Sequence, residues 1–255
     1  MNGRRNECRR GQANVGYSEK SMRTDLHPSQ LEAGDVLLCR GNTEGVSVKA
    51  HVSSAISATT SSPYTHAAMY LGDGKIVDAR VLQGILVRPL VDLIASTTYI
   101  AALRQPGAWD AARVEELRIF AEELHGTKYN VDAFKSYVLK FPRNRQLKWE
   151  AQRSAHQDSL MEKIEAAFAN LSPPSEDTSR RYFCSELVVA AFAKVGYLGK
   201  GADVIFDPAY MAPGDIPRDN TFGFLVGYLA KGSPFDVPSD DPLLGTPLAS
   251  SVSPF

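Results

Sequence analysis

Two residues of this chain can act together as a thiol and its base: Cys184, in RRYFCSELVVAAF, and His66, in SSPYTHAAMYLGDGKIVDA. Cys184 follows a loop and opens the apolar run SELVVAAFAKVGYL, whose pattern predicts a helix beginning at the cysteine. A thiol at that position meets the positive end of the helix dipole and backbone N–H groups with no intrahelical partner. Both favour the thiolate, and the same N–H groups can hold an oxyanion. A base for the thiol must come within hydrogen-bond reach, with its second nitrogen oriented by a third group. His66 opens a strand, and the Gly-Asp-Gly turn after that strand folds the next one back beside it. Asp78 then lies within reach of His66 and is the candidate third group. A carboxylate inside the apolar run KIVDA requires a partner or water.

Each residue alone has a plainer reading. A buried cysteine is more often structural than reactive, and a histidine at a strand start is more often satisfied by packing. Cys39, between Leu38 and Arg40, reads as a structural strand residue, and Cys8 as incidental. Three cysteines are too few for a disulfide framework. No His/Cys/Asp spacing resembles a metal site, and Gly-Asp-Gly is a turn rather than a phosphate cradle. Neither a metal nor a cofactor is expected.

The elements that must position the pair are legible at low resolution. Residues 1–28 are Arg-rich without periodicity and read as a disordered basic leader. Strands are expected at Val36 to Cys39, across the hairpin HAAMYLGDGKIVDAR, at Ile85 to Leu90, at Tyr99 to Arg104 and at FGFLVGYL. A short helix is expected around Val46 to Ser57. Asp110 caps a helix that Gly126 stops, with Val114, Leu117, Ala121 and Leu124 as its buried stripe. A charged helical insert at about 140–178 precedes Cys184 and is either a solvated helix face or a lid. Residues 232–255, rich in Pro, Ser and Asp, read as a disordered tail. The folded domain is therefore expected over 29–231.

Composition limits the function classes. Lys and Arg number 28 against 29 Asp and Glu, a formal net charge of −1, which disfavours nucleic acid as the main partner. No stretch approaches the ~20 apolar residues that span a bilayer. The N-terminus has no apolar core of a secretory signal, so the cytoplasm is the default location, with export by a signal-independent route as the alternative.

Together these strings resemble the permuted papain-like cysteine hydrolases of the NlpC superfamily, in particular the YiiX/YebB-like group, with a more distant similarity to lecithin:retinol acyltransferase. EAGDVLL resembles that group's opening strand, SSPYTHAAMYLGDGKIVDA its Ser-His strand, turn and acidic strand, and YFCSELV its nucleophile helix. LHGTKYNVDAF resembles a Gly-x-x-Tyr-Asp-type segment, with Asn130 where aspartate is usual, and APGDIPRDNTFGFLVG the closing loop and strand. The resemblance covers about residues 31–230. It implies an α+β, circularly permuted papain-like fold: an antiparallel sheet packed against helices, with the nucleophile at a helix N-terminus. In papain-type chains the cysteine precedes the histidine; here the order is reversed.

The resemblance further implies Cys184 as nucleophile and His66 as base, with Asp78 as the third member, where many relatives carry glutamate. It places Tyr182 and Ser185 on the substrate or oxyanion side. The implied activity is amidase or peptidase cleavage of a small peptide or aminoacyl amide, such as a cell-wall peptide. Two alternatives stay open: a phospholipase or acyltransferase using the same pair, with peripheral membrane contact, and a binding module without turnover.

Overall fold

The computed structural model describes residues 25–41, 57, 62–81, 83–130, 182–199, 211–232 and 235–252. Among these residues six strands form one sheet: β1 (Val36–Arg40), β2 (His66–Gly72), β3 (Lys75–Arg80), β4 (Gly84–Pro89), β5 (Tyr99–Arg104) and β6 (Phe224–Ala230). Among the described residues the α-helices are α1 (Leu90–Ala95), α2 (Ala111–Leu124) and α3 (Cys184–Lys194). The strand order is β4-β3-β2-β1-β5-β6, with every neighbouring pair antiparallel. The fold class is mixed α+β.

Local chemistry accounts for most of these elements. β1 is a continuous apolar run, as a central strand buried on both faces requires. The β2–β3 hairpin closes through Asp73 and Gly74, both at positive φ (51° and 69°), the pair of values a tight two-residue turn demands. Asp110 caps α2 by accepting a hydrogen bond from the Arg113 N–H at 2.8 Å. Leu117, Phe120, Ala121 and Leu124 bury its inner face. In α3, Leu187, Val188, Ala191 and Phe192 are fully buried, and burial of such side chains contributes roughly 1.5–3 kcal/mol each.

The side chains of the sheet divide between two apolar layers. Val36, Leu38, Ala67, Met69 and Val77 form one with α2 and α3. Leu37, Cys39, Ala68, Tyr70 and Ile76 form the other with Leu90 and Leu93 of α1.

Three expectations change. The strand expected to reach Leu90 ends at Pro89, which has no N–H for a further ladder bond; α1 begins at Leu90 and buries Leu90 and Leu93 at helical spacing. The leader ends earlier than residue 28: Asp25 bridges to Tyr228, and the Leu26 N–H donates to the Tyr228 carbonyl at 2.8 Å. Much of the expected disordered tail is packed. Leu243 joins the core, Leu248 bridges to Leu225, and the Asp241 side chain is buried. Averaged composition concealed this, because a few apolar residues and one buried carboxylate hold a segment whose other residues form turns. The leader up to residue 24, the expected helix around 46–57 apart from Ser57, and the insert at about 140–178 lie outside the described residues.

Candidate active site

Strand register builds the site. Asp78 pairs with Ala68, so His66, two residues earlier on β2, lies on the same face as its diagonal neighbour. Asp78 also pairs with Leu86 across β4, which puts Arg88 on that face at the other diagonal. Cys39 of β1 pairs directly with His66. These residues alternate with those beneath α3. His66 opens β2 and Cys184 opens α3, and the two lie near enough for the sulfur to act on the ring.

The contacts are specific. His66 Nε2 lies 3.0 Å from Asp78 Oδ2. Cys184 lies near enough to the ring to help hold its proton; with Nε2 engaged by Asp78, Nδ1 is the nitrogen left to face a partner. Asp78 is fully buried, and its second partner is Arg88. Arg88 Nε donates to Oδ1 at 3.0 Å and Nη2 to Oδ2 at 2.7 Å, a two-pronged ion pair.

Electrostatics follow from these bonds. Burial opposes a charge on His66, but the hydrogen bonds and charges of Asp78 and Cys184 outweigh it and raise the imidazole to about 9. Burial likewise opposes the Asp78 charge, yet the bonds from His66 and Arg88 prevail and hold the carboxyl at about 2. At neutral pH the row is imidazolium, carboxylate and guanidinium.

The start of α3 is fixed by its own first turn. Glu186 accepts the Phe183 N–H at 3.1 Å and the Asn130 side-chain amide at 3.2 Å. The Asn130 N–H donates to the Tyr182 carbonyl at 3.2 Å, and Tyr129 bridges to Tyr182. The chain just before the expected insert is thereby joined to the chain just before Cys184.

The expected site residues divide into two groups. His66, Asp78 and Cys184 come together. Tyr182 lies two residues before Cys184, with its ring edge-on to Phe120 of α2 at 6.2 Å between centroids. Ser185 departs from its expected role: its side chain is fully buried and its hydroxyl donates to the Met211 carbonyl. It fastens α3 to the 211–216 loop, and what it can offer at the helix start is its backbone N–H.

Two residues were missed. Arg88 carried a signal, since a buried Asp78 implies a cationic or donor partner and Arg88 is the basic residue inside the next strand. Tyr129 is buried beside Cys184 and Glu186; burial first, then the charges of those two groups, pushes its phenol well above the ordinary value. Its closeness to Cys184 had no local signal, because a turn and a long insert separate the two in sequence.

Among the described residues no group of three or more His, Cys, Asp or Glu side chains is arranged to hold a metal ion, and no helix is long and apolar enough to cross a membrane. No family model and no curated protein matches the sequence. Among solved structures, the chain has a weak likeness to the crystal structure of metalloprotein yiiX from Escherichia coli O157:H7, with a TM-score of 0.34 and 18% identity over 68% of this chain and 84% of that one.

Proposed function

We propose that this chain is a cysteine-dependent hydrolase of the permuted papain-like kind, in which Cys184 attacks an acyl carbon, His66 carries the proton and Asp78 orients His66. The observation that carries this reading is the single imidazole held by Asp78 at 3.0 Å on Nε2 with Cys184 close by. A thiol, a base in contact with it and a buried carboxylate fixing that base are the parts of an activated nucleophile. The chain order His66, Asp78, Cys184 fits the permuted arrangement.

In the proposed cycle His66 takes the thiol proton of Cys184. The sulfur adds to the acyl carbon. The oxyanion takes hydrogen bonds from N–H groups in the first turn of α3, which have no intrahelical carbonyl to bond. His66 then protonates the departing amine through Nδ1, leaving a thioester on Cys184. Water, deprotonated by His66, adds to the thioester, and collapse releases the acid and restores the pair. The substrate class best suited to the reading is an amide next to a small amino-acid unit, such as a cell-wall peptide.

The test compares wild type with Cys184→Ala on peptidoglycan fragments, N-acyl amino acids and phospholipids, read by mass spectrometry. The expected result is amide turnover by wild type and none by Cys184→Ala, with the circular dichroism unchanged. Turnover that survives the substitution removes Cys184 as nucleophile. Turnover of phospholipids alone replaces the amide by a lipid ester.

A further inference from the structure

Arg88 lies outside the thiol–imidazole–carboxylate chain, yet it is only 10% exposed and commits two nitrogens to one carboxylate. Asp78 is the group that fixes His66, and both Asp78 oxygens are held by the guanidinium fork. With Oδ2 shared between Arg88 Nη2 at 2.7 Å and His66 Nε2 at 3.0 Å, the carboxylate cannot rotate without breaking bonds on both sides.

We propose that Arg88 is a positioning residue: its fork locks the Asp78 carboxylate in the rotamer that orients His66, and its charge tempers the field that the carboxylate exerts on the imidazole. The inference rests on reading Cys184 and His66 as a catalytic pair, but its central measurement does not require turnover.

The geometry sets the direction. The groups facing His66 are Cys39 on β1, Asp78 on β3 and Cys184 on α3. Arg88 on β4 reaches it through Asp78, while Tyr129 lies near Cys184 and Glu186. Of these, Arg88 is the cation. The two bonds through Oδ2 place its guanidinium within about 6 Å of the imidazole, where one charge in a partly buried site shifts a proton equilibrium by roughly one to two pH units. Removing that charge exposes His66 to the full Asp78 carboxylate, so its titration midpoint rises.

The experiment is an NMR titration of His66 in the full chain, labelled at histidine, for wild type, Arg88→Met and Arg88→Lys, each also in a Cys184→Ala background to separate the sulfur from the carboxylate. Arg88→Met is expected to raise the His66 midpoint by about one unit or more, a tenfold or greater gain in proton affinity. Arg88→Lys keeps the charge and holds the midpoint near wild type. It loses the fork and lowers kcat several-fold at unchanged KM on whatever substrate wild type turns over. Arg88→Gln replaces Arg88→Met should the latter fail to fold, with the same expected rise. A midpoint within 0.3 unit of wild type in the folded, uncharged variant overturns the proposal, as does full kcat in Arg88→Lys. If the midpoint moves but no substrate is turned over by any form, the positioning inference stands and the hydrolase reading falls.

Discussion

Replacing Asp241 by alanine tests whether the segment beyond residue 234 is part of the machinery that holds β2. The carboxylate accepts hydrogen bonds from the phenols of Tyr64, Tyr99 and Tyr228 and from the Leu243 N–H at 2.9 Å. Tyr64 and Tyr99 are fully buried and Tyr228 nearly so. Burial pushes all three phenols well above the ordinary value, aided next by the Asp241 charge on Tyr64 and Tyr228 and by the hydrogen bond to Asp241 on Tyr99, where Arg40 opposes it, so all three stay donors. In alanine's place three buried O–H groups and one N–H lose their acceptor, at about 1–3 kcal/mol for each group left unsatisfied. Part of that loss is offset because the carboxylate no longer has to be dehydrated, which brings the net to roughly 3–5 kcal/mol, the usual cost of breaking a buried charged cluster. Urea denaturation followed by circular dichroism should then show a midpoint lower by about 1–2 M at an unchanged slope. Asp241→Asn keeps the shape and one acceptor, and its midpoint should fall between the two. Because Tyr64 stands two residues before His66, Asp241→Ala should also lower turnover under conditions where the variant is still folded. A midpoint within about 0.3 M of wild type would refute the reasoning, since a carboxylate gathering four donors cannot be lost silently if those donors are buried around it.

Two further outcomes follow from the site. His66 is held at about 9 against an ordinary 6.5, so its protonation contributes stability that is complete below 6.5 and is lost as pH rises through about 9. Asp78, at about 2 against 3.8, contributes stability present above 3.8 and lost as pH falls through about 2. A pH series of denaturation midpoints should therefore decline between 6.5 and 9 in wild type but not in His66→Gln, and activity should show an alkaline limb near 9; a flat profile across that range contradicts the assigned bonds. Gly84 sits at φ +77°, and a Cβ there would come 2.1 Å from the Thr127 carbonyl oxygen, so Gly84→Ala should cost on the order of 3 kcal/mol. By displacing the backbone that leads to Tyr129 and Asn130, it should also slow turnover in the protein that remains folded; a thermal midpoint equal to wild type would show that Thr127 moves away freely.

What the sequence made legible, and what it concealed, divide along one physical line. Cys184 at a helix start, His66 at a strand start and the turn that returns Asp78 to His66 are each written within a few consecutive residues. Periodicity and turn chemistry act at that range, and all three stand where those rules place them. Arg88 and Asp241 are different. Arg88 meets Asp78 only because β4 pairs with β3 in a register where Asp78 faces Leu86, and a slip of one residue would turn the guanidinium to the other layer. Asp241 meets three tyrosines borne on or near β2, β5 and β6, a contact that exists only after the whole sheet has formed. Yet the need for such partners was visible. A carboxylate in KIVDA and a Tyr-rich sheet both carry polar groups that burial would leave unsatisfied, and each demanded a complement somewhere in the chain. Composition averaged over residues 232–255 hid one complement. The other was a single arginine in a strand that otherwise reads as apolar. For buried polar groups, then, the question to put to a sequence is which residue elsewhere can satisfy them, and in this chain the answers lead to the supports of the site.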